Sequence, residues 1–236
     1  MKLHKRITIN GKVYPLIDDS TQLSLFSPGR AAYSVMSDTD ALKGTVIFSM
    51  GYQLASIKDY FIGWIESSTA VDSKSVRIFC RELSAVLNFR LPMALRDVTM
   101  QAILDVITNK TGLTFSLPEQ SKPYLINKAA MFYNIGSGYL ALDSLRDVFG
   151  VPHFFWQQRQ DGSIFVGSWD DSHWQSKRID IARSLENAVS VSQGATIPVI
   201  VGLRPGPKYN GRILTDVAMS DTKMTLQWSQ NPWGQS

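Results

Sequence analysis

The segment SWDDSHWQ carries the strongest indication of acid–base chemistry in this chain, through Asp170, Asp171 and His173. Glu66 and Glu82 are carboxylates elsewhere that could join them in a glycan or peptidoglycan hydrolase, where two carboxyl groups in different environments divide the acid and base roles. Adjacent residues of a strand point to opposite faces, and a polar cluster after a hairpin is ordinarily a solvated turn. We therefore predict no catalytic residue and keep the hydrolase as a third hypothesis.

Histidine spacing gives no support for a metal site. His4, His153 and His173 are far apart in the chain, and none belongs to a short ligand motif such as H-E-x-x-H. His153 precedes Phe154 and Phe155, which predicts a strand residue near the core, and His4 is expected in a mobile terminus. We predict neither a bound metal nor a cofactor.

The single cysteine lies in the segment SVRIFCREL. Alternation with a period of two places Cys80 on the same strand face as Val76 and Ile78, which predicts a small core residue rather than a nucleophile. One cysteine also excludes an internal disulfide, a cysteine-based zinc site and a four-thiolate iron–sulfur cluster within one subunit. The chain is expected to fold in a reducing cytosol.

Aromatic residues are dense in the second half of the chain. The cluster consists of Phe154, Phe155, Trp156, Phe165, Trp169 and Trp174. Alternation across a hairpin predicts that these side chains pack in the core or at a subunit interface. An alternative from another functional class is a carbohydrate-binding β-module that uses exposed Trp169, Trp174 or Trp233.

Charge gives no indication of wrapped nucleic acid, because the net charge of +4 comes from 24 basic and 20 acidic residues that are interspersed. Arg204, Lys208 and Arg212 flank proline-glycine turns without a nucleotide- or RNA-binding motif nearby, which predicts a surface loop. No segment reaches the roughly 18 apolar residues of a membrane span, and the basic N-terminus has no apolar stretch after it. We expect neither a signal peptide nor membrane insertion.

A helix, its stop signal and a hairpin follow one another from residue 137 to residue 169. One side of a 3.6-residue period holds Ala141, Leu142, Leu145, Val148 and Phe149. Ser137 is the predicted N-cap, and Gly150 is the predicted left-handed residue that ends the helix. Asp161-Gly162 then predicts a type I′ turn between the two strands of the hairpin.

An earlier helix is predicted between Arg96 and Gly112. The i, i+3, i+4, i+7 positions are occupied by Met100, Ile103, Leu104 and Ile107. Thr99 is the predicted N-cap and Gly112 the predicted C′ glycine. The stretch from Phe115 to Gly136 is expected to be a loop that carries one short strand in YLIN.

Short strands are predicted over much of the remaining chain. Their segments are RITING, GTVIFSMGYQL, DYFIGWIES, SVRIFCREL, HFFWQQ, SIFVGSW, TIPVIVGLRPG, GRILTDVAMS and TKMTLQWS. The fold class is therefore α+β, mainly β, with two small antiparallel β-barrel-like domains joined by a helix-containing segment. The predicted boundaries are 1–92 for the first domain, 93–150 for the connection, 151–230 for the second domain and 231–236 for a short tail.

The order of these parts resembles the central hub proteins of phage tails, including the hub part of type VI secretion spike proteins. The segments that carry the resemblance are GTVIFSMGY, DYFIGWIES, SVRIFCREL, LRDVTMQAILDVITNKTGL, ALDSLRDVFGVPHFFWQQRQDGSIFVGSW and LRPGPKYNGRILTDVAMSDTKMTLQWS. The resemblance covers most of the chain from about Gly44 onward and depends on the order of the segments rather than on any catalytic motif.

The resemblance implies a non-enzymatic homotrimer in the baseplate or tail tip of a virion, assembled in the host cytoplasm. Two barrels per subunit would present six β-modules to a sixfold tail tube, and closed rings need heterologous contacts that repeat around the axis. The implied partners are a tail tube or distal tail protein, a central spike or fibre protein and a tape-measure protein. DNA would pass through the lumen without specific binding.

The sequence departs from larger hubs after Trp228, where only the tail NPWGQS and no further domain is expected. Lytic or receptor-binding activity is accordingly expected to belong to neighbouring proteins rather than to this chain.

Overall fold

The computed structural model describes residues 2–39, 41–119, 121–179, 188–190 and 194–234. The chain divides into two compact units. Unit one combines Met1–Leu83 with Lys177–Ser236, and unit two is Ser84–Ser176. Unit one is therefore built from both ends of the chain, and unit two from its middle.

The described elements follow one another as short strands and a few helices. The strands are β1 (His4–Ile9), β2 (Lys12–Tyr14), β3 (Leu16–Ser24), β4 (Arg30–Met36), β5 (Thr45–Gly51), β6 (Lys58–Ala70), β7 (Ser75–Glu82), β8 (Met93–Val98), β9 (Phe115–Ser116), β10 (Ala129–Asn134), β11 (Phe154–Gln158), β12 (Ile164–Ser168), β13 (Arg178–Ile179), β14 (Ala188–Ser190), β15 (Gly194–Pro198), β16 (Lys208–Tyr209), β17 (Arg212–Ser220) and β18 (Lys223–Ser229). The helices are α1 (Met100–Thr111), α2 (Pro123–Ile126) and α3 (Gly138–Phe149), with 3₁₀ turns at Leu54–Ser56, Leu83–Asn88 and Trp169–Asp171.

Unit one contains one sheet to which both ends of the chain contribute. Its strand order is β14-β15-β18-β17-β3-β4-β7-β6-β5-β1-β2, with β16 also paired to β17 and β13 paired to β16. The pair of β3 and β17 joins the two chain ends, with Ser24 opposite Asp216 and Ser20 opposite Ser220. The predicted strand segments include neither β3 nor β4, although both lie in the middle of the sheet.

The core of unit one is a single hydrophobic cluster that collects one face of many strands. Val46, Phe48 and Met50 alternate along β5, within the predicted strand segment GTVIFSMGYQL, and are fully buried. They belong to the same cluster as Val217 and Met219 of β17. Burial of an apolar face at about 25 cal/mol per Å² is the main stabilising term for such a sheet. The two chain ends therefore depend on each other for their core.

Unit two contains two small sheets and the helices. β8 and β10 form an antiparallel ribbon, while β12 pairs antiparallel with β11 and parallel with β9. α1 contacts β8, α3 contacts β10 and β11, and the two helices contact each other. A two-stranded ribbon is marginal alone, so packing against helices is what stabilises it.

The predicted helix ends are confirmed. The Thr99 hydroxyl accepts a hydrogen bond from the amide of Ala102 at 3.3 Å, and Gly112 closes α1 at φ 74°. The Ser137 hydroxyl caps α3 in the same way, and Gly150 ends it at φ 63°. Only glycine adopts such a positive φ without a steric cost, so both stop signals act through the backbone.

Three local predictions in unit two are wrong. Val148 lies at the margin of the α3 stripe and is 41% exposed. YLIN is not a strand, because Pro123 at the first helical position starts the single turn α2, and the strand of this region is β10. Only Gly162 of the Asp161-Gly162 pair has a positive φ. Its amide donates to the Arg159 carbonyl, so the loop is longer than a type I′ turn.

The predicted fold class, α+β and mainly β, is confirmed. None of the sheets formed by the described residues closes into a barrel, since each is an open path of strands. The domain boundaries at residues 92, 150 and 230 stay a prediction. Within the described parts of the chain, no helix has both the length and the apolar composition of a membrane span.

Candidate functional site

The two carboxylates of SWDDSHWQ lie at the 3₁₀ turn after β12, and each has a different partner. Asp170 accepts from His153 Nδ1 at 2.7 Å, and both side chains are about half exposed. His153 itself is a turn residue with φ 44° before β11, so its prediction as a strand residue near the core is wrong. An exposed pair of this kind contributes little to stability.

Asp171 is held by two donors from the segment around α2. The Lys122 ammonium lies 2.6 Å from Asp171 Oδ1, and the Tyr124 hydroxyl donates to Oδ2 at 2.6 Å. Burial alone would raise the pKa of Asp171, but the hydrogen bonds from Lys122 and Tyr124 outweigh it and lower that pKa. The same hydrogen bond raises the pKa of Lys122. Asp171 is therefore an ionised partner in a local network rather than a carboxyl poised to transfer a proton.

The other two candidate carboxylates lie in unit one, on β6 and β7. Glu66 forms an exposed ion pair with Arg81 at 3.1 Å. Glu82 is buried and pairs with Arg204, which lies 122 residues further along the chain. The sequence predicted Arg204, with Lys208 and Arg212, in a surface loop. That prediction is wrong for Arg204, which is 3% exposed.

Arg204 and Glu82 form the centre of a buried polar network in unit one. Arg204 Nη1 donates to the carbonyl of Tyr60 at 2.7 Å, and Nη2 donates to Glu82 Oε1. Glu82 Oε2 accepts from the amide of Gly29 at 2.6 Å. A Cβ atom at Gly29 would lie 2.5 Å from Leu23 Cδ2 and 2.9 Å from the carboxyl carbon of Glu82, so a larger residue would displace these side chains. Because each charge faces a buried group of opposite charge, the network is a structural pair of the interior and offers no open chemistry.

A third ion pair of unit one joins Lys5 of β1 to Asp19 of β3. Burial raises the pKa of Asp19, although the hydrogen bond from Lys5 opposes this effect. His4 is the preceding residue of β1 and lies opposite Gly51 of β5, so its prediction as part of a mobile terminus is wrong. These groups position strands and do not converge on a cleft.

The prediction for Cys80 is confirmed. It lies on β7 with Val76 and Ile78 on the buried face, and burial raises the pKa of its thiol to about 12. A thiol with such a pKa is a poor nucleophile at neutral pH. Among the residues that the structure describes, no group of three His, Cys, Asp or Glu side chains converges as a metal ion would require.

The aromatic cluster of the second half packs inside unit two. Trp169 and Trp174 are 3% and 7% exposed, and Trp174 Nε1 donates to Gln157 Oε1 at 2.9 Å. The predicted core position of these rings is confirmed, so their proposed exposure for sugar stacking is wrong. Trp233 is half-buried in unit one, with its ring edge-to-face on Phe26 at 6.1 Å between centroids.

An exposed apolar surface that the sequence analysis did not predict lies on the ribbon of β8 and β10. Met131, Tyr133 and Ile135 project from one face and are 54%, 64% and 55% exposed. Phe132 and Asn134 project from the other face and are buried. We call the outer side the ribbon face. Apolar residues occupy both sides of the strand, so a period of two could not be read from hydropathy alone.

The neighbouring strand completes the ribbon face with smaller and charged side chains. Ala94 lies opposite Tyr133, and Arg96 lies opposite Met131. The ladder continues to the bridge between Arg90 and Ser137, and Arg90 is exposed. Exposed apolar groups rimmed by charges are typical of protein contact surfaces.

This architecture is also found in solved structures of other proteins. No protein-family model matches the chain. The 43 kDa tail protein of prophage MuSo2 from Shewanella oneidensis superposes with a TM-score of 0.73 at 8% identity, over 97% of this chain and 98% of that one. The chain has the fold of phage tail proteins. The resemblance predicted from the sequence is thus confirmed at the level of the fold.

Two further proteins are similar to this chain, one in its solved structure and one in its sequence. An Escherichia coli component of the type VI secretion system, itself described as similar to the T4 tail proteins gp27 and gp5, has a TM-score of 0.62 at 14% identity, over 96% of this chain and 77% of that one. An uncharacterised 58.7 kDa protein from the lys 3′ region of Haemophilus phage HP1 is 30% identical over 226 residues, 96% of this chain. The chain spans 42% of the length of that relative.

Proposed function

We propose that this protein is a structural hub of a phage tail baseplate or tail tip that works without enzymatic activity. The observation that carries the proposal is the match to a prophage tail protein over nearly the whole of both chains. In this role the protein is part of the virion, assembles in the host cytoplasm and surrounds the channel through which DNA passes without specific binding. A trimeric ring would adapt a sixfold tail tube to a threefold central spike or fibre.

The partners follow from that position in the tail. A tail tube or distal tail protein contacts one side of the ring, and a central spike or fibre protein contacts the other. A tape-measure protein is a further candidate inside the tube. The type VI component with the same fold supports the proposed link to spike proteins.

The ribbon face is the proposed contact between neighbouring subunits. A ring requires a heterologous contact, in which one patch of each subunit meets a different patch of the next. Tyr133, Met131 and Ile135 supply large apolar side chains that a partner would remove from water. Arg90 and Arg96 at the margin would form the polar rim that such interfaces commonly have.

The states of the acidic side chains support a non-enzymatic role. Asp171 is engaged by two donors, Glu82 is buried against Arg204, and Asp170 is paired with His153 at the surface. A general acid would need a carboxyl with a raised pKa beside a substrate cleft. The geometry of these groups is that of structural pairs.

Particle mass and shape test the proposal. Light scattering of the purified chain, with its tail partner where needed, is expected to give a trimer mass, and electron microscopy is expected to show rings. Tyr133→Glu places a charge on the ribbon face and should shift the mass toward the monomer. Val148→Glu, an exposed apolar position on α3, is the matched control and should leave the trimer intact.

The possible outcomes test the proposed ring and the proposed contact at the ribbon face separately. A monomer at all concentrations, with and without tail proteins, contradicts the ring. A trimer that both variants leave unchanged contradicts only the assignment of the contact to the ribbon face. Cell-wall hydrolysis that Asp171→Asn removes would contradict the non-enzymatic role.

A further inference from the structure

The outer face of the unit-one sheet carries a shallow groove. Two adjacent depressions, of about 340 Å³ and about 200 Å³, share Gln22 and Arg30 in their linings and together make up the groove. The groove crosses β17, β3, β4 and β7, and its walls include Arg81, Phe79 and Asp216. We call it the arginine groove.

Two arginines lie side by side in this groove. Arg30 of β4 is directly opposite Arg81 of β7 in the antiparallel register. Like charges at directly opposed positions destabilise a sheet, and adjacent strands are only about 4.8 Å apart. Arg81 is paired with Glu66, whereas the Arg30 guanidinium has no hydrogen bond or ion pair among the described residues. A positive charge therefore stays uncompensated at the centre of the groove.

The next row of the same face adds an apolar contact. Phe79 lies opposite Ala32 and is 42% exposed. The guanidinium carbon of Arg77 lies 5.5 Å from the centre of the Phe79 ring, so a third cation borders the groove. On the other side of Arg30, the register places Gln22 and then Ala218. The groove thus combines cations, one aromatic ring and a floor of small side chains.

We propose that the arginine groove binds an extended acidic segment of a partner protein. A carboxylate between Arg30 and Arg81 would neutralise the opposed charges through charge-assisted hydrogen bonds, and a neighbouring side chain would cover Phe79. Glu66 and Asp216 stand on either side of the arginines and confine the positive charge to a short stretch, which suits one carboxylate of a segment better than a row of phosphates. The inference goes beyond the hub role and does not depend on ring formation.

Fluorescence anisotropy with the full chain tests the inference. The probe is a short labelled peptide of alternating Glu and Thr, compared with a Gln-Thr peptide of the same length and with a single-stranded DNA oligonucleotide. Arg30→Gln is expected to weaken binding of the Glu-Thr peptide about tenfold, the effect of losing one charge-assisted contact. Arg212→Gln removes the same charge from an exposed position of β17 and should change the affinity less than about twofold.

Arg30→Lys sharpens the test because it keeps the charge but loses the planar fork, and it should recover only part of the affinity. Equal losses in Arg30→Gln and Arg212→Gln would show general charge attraction and overturn the inference. Glu-Thr and Gln-Thr peptides of equal affinity would do the same. Preferential binding of the DNA that Arg30→Gln weakens would assign the groove to nucleic acid instead.

Discussion

The best-buried ion pair of unit one differs from the acidic pairs of unit two in its surroundings. In unit one, Glu82 and Arg204 are buried together, and they come from opposite ends of the chain. In unit two, Asp170 and Asp171 pair with His153 and Lys122 close to solvent. Asp170 and Asp171, which the sequence singles out as candidates for catalysis, thus form ion pairs near the surface. The carboxylate with the most buried contacts is Glu82, which belongs to no sequence motif.

Removal of the buried charge in unit one should have the largest effect. Glu82→Ala leaves Arg204 buried without its carboxylate, and we expect the free energy of unfolding to fall by about 3–5 kcal/mol. Chemical denaturation followed by tryptophan fluorescence measures the change. Glu66→Ala removes a carboxylate of the exposed pair with Arg81 and is the matched control, with an expected loss below about 1 kcal/mol.

A double replacement distinguishes the effect of losing the whole ion pair from the effect of leaving one buried charge without a partner. Glu82→Met combined with Arg204→Met should regain much of the stability that Glu82→Ala loses, because apolar residues of similar volume often replace a buried ion pair at little cost. Equal stability of Glu82→Ala and Glu66→Ala would contradict the burial of this network.

Substitutions of Gly112, which ends α1, should change the stability of the protein through backbone conformation alone. Gly112 has φ 74°, and a Cβ atom there would meet no heavy atom within 4 Å. Gly112→Val is therefore expected to cost about 1–3 kcal/mol through strain and not through a clash. Gly112→Asn should cost less, since asparagine tolerates the left-handed region. Thermal unfolding of the two variants checks the order, and an equal loss for both would contradict the conformational explanation.

Asp171 and Asp19 each pair with a lysine, but their contributions to the free energy of unfolding should change with pH in opposite directions. The pKa of Asp171 is lowered by folding, so its contribution is present above the unfolded value of about 3.9 and is lost as the pH falls through the folded pKa. The pKa of Asp19 is raised by folding, so its contribution is present below about 3.9 and is lost as the pH rises through the folded pKa.

Denaturation of Asp171→Asn and Asp19→Asn across the acid range measures these dependences. The advantage of the wild type over Asp171→Asn should reach about 1 kcal/mol at neutral pH and shrink toward acid. Its advantage over Asp19→Asn should shrink in the other direction, as the pH rises. Two differences that change with pH in the same direction would refute the contrast between the two sites.

The exposed pair of Asp170 and His153 should show the smallest effect. Both side chains are about half exposed, so we expect Asp170→Asn to change the free energy of unfolding by less than about 0.5 kcal/mol. Urea denaturation at low and high salt is the measurement. A loss larger than that of Asp171→Asn would reverse the ranking of the two adjacent carboxylates.

Much of unit two could be predicted because its signals are local. Thr99, Gly112, Ser137 and Gly150 each act on a backbone within a few residues, and the structure places all four as helix caps. The class α+β, mainly β, followed from the same short-range patterns. In unit one, the burial of Cys80 followed in the same way from alternation along β7.

The candidate site was less accessible to sequence reasoning. The sequence was compatible with both exposed and buried positions for Trp169 and Trp174, and the structure shows that they are buried. The outward side of Met131 and Tyr133 was hidden because apolar residues occupy both faces of β10. A hydropathy period of two arises only when one face of a strand is apolar and the other is polar, so it cannot identify the buried face where both faces are apolar.

The sequence by itself determined where α1 and α3 begin and end, which positions alternate along β7, and the order of parts that resembles a tail hub. Only the tertiary structure decided that β3 pairs with β17 and that Glu82 meets Arg204. Caps and turns depend on neighbours in the chain, where little entropy is lost. A contact between distant segments must overcome loop-closure entropy, and which contact succeeds depends on the packing of the whole core.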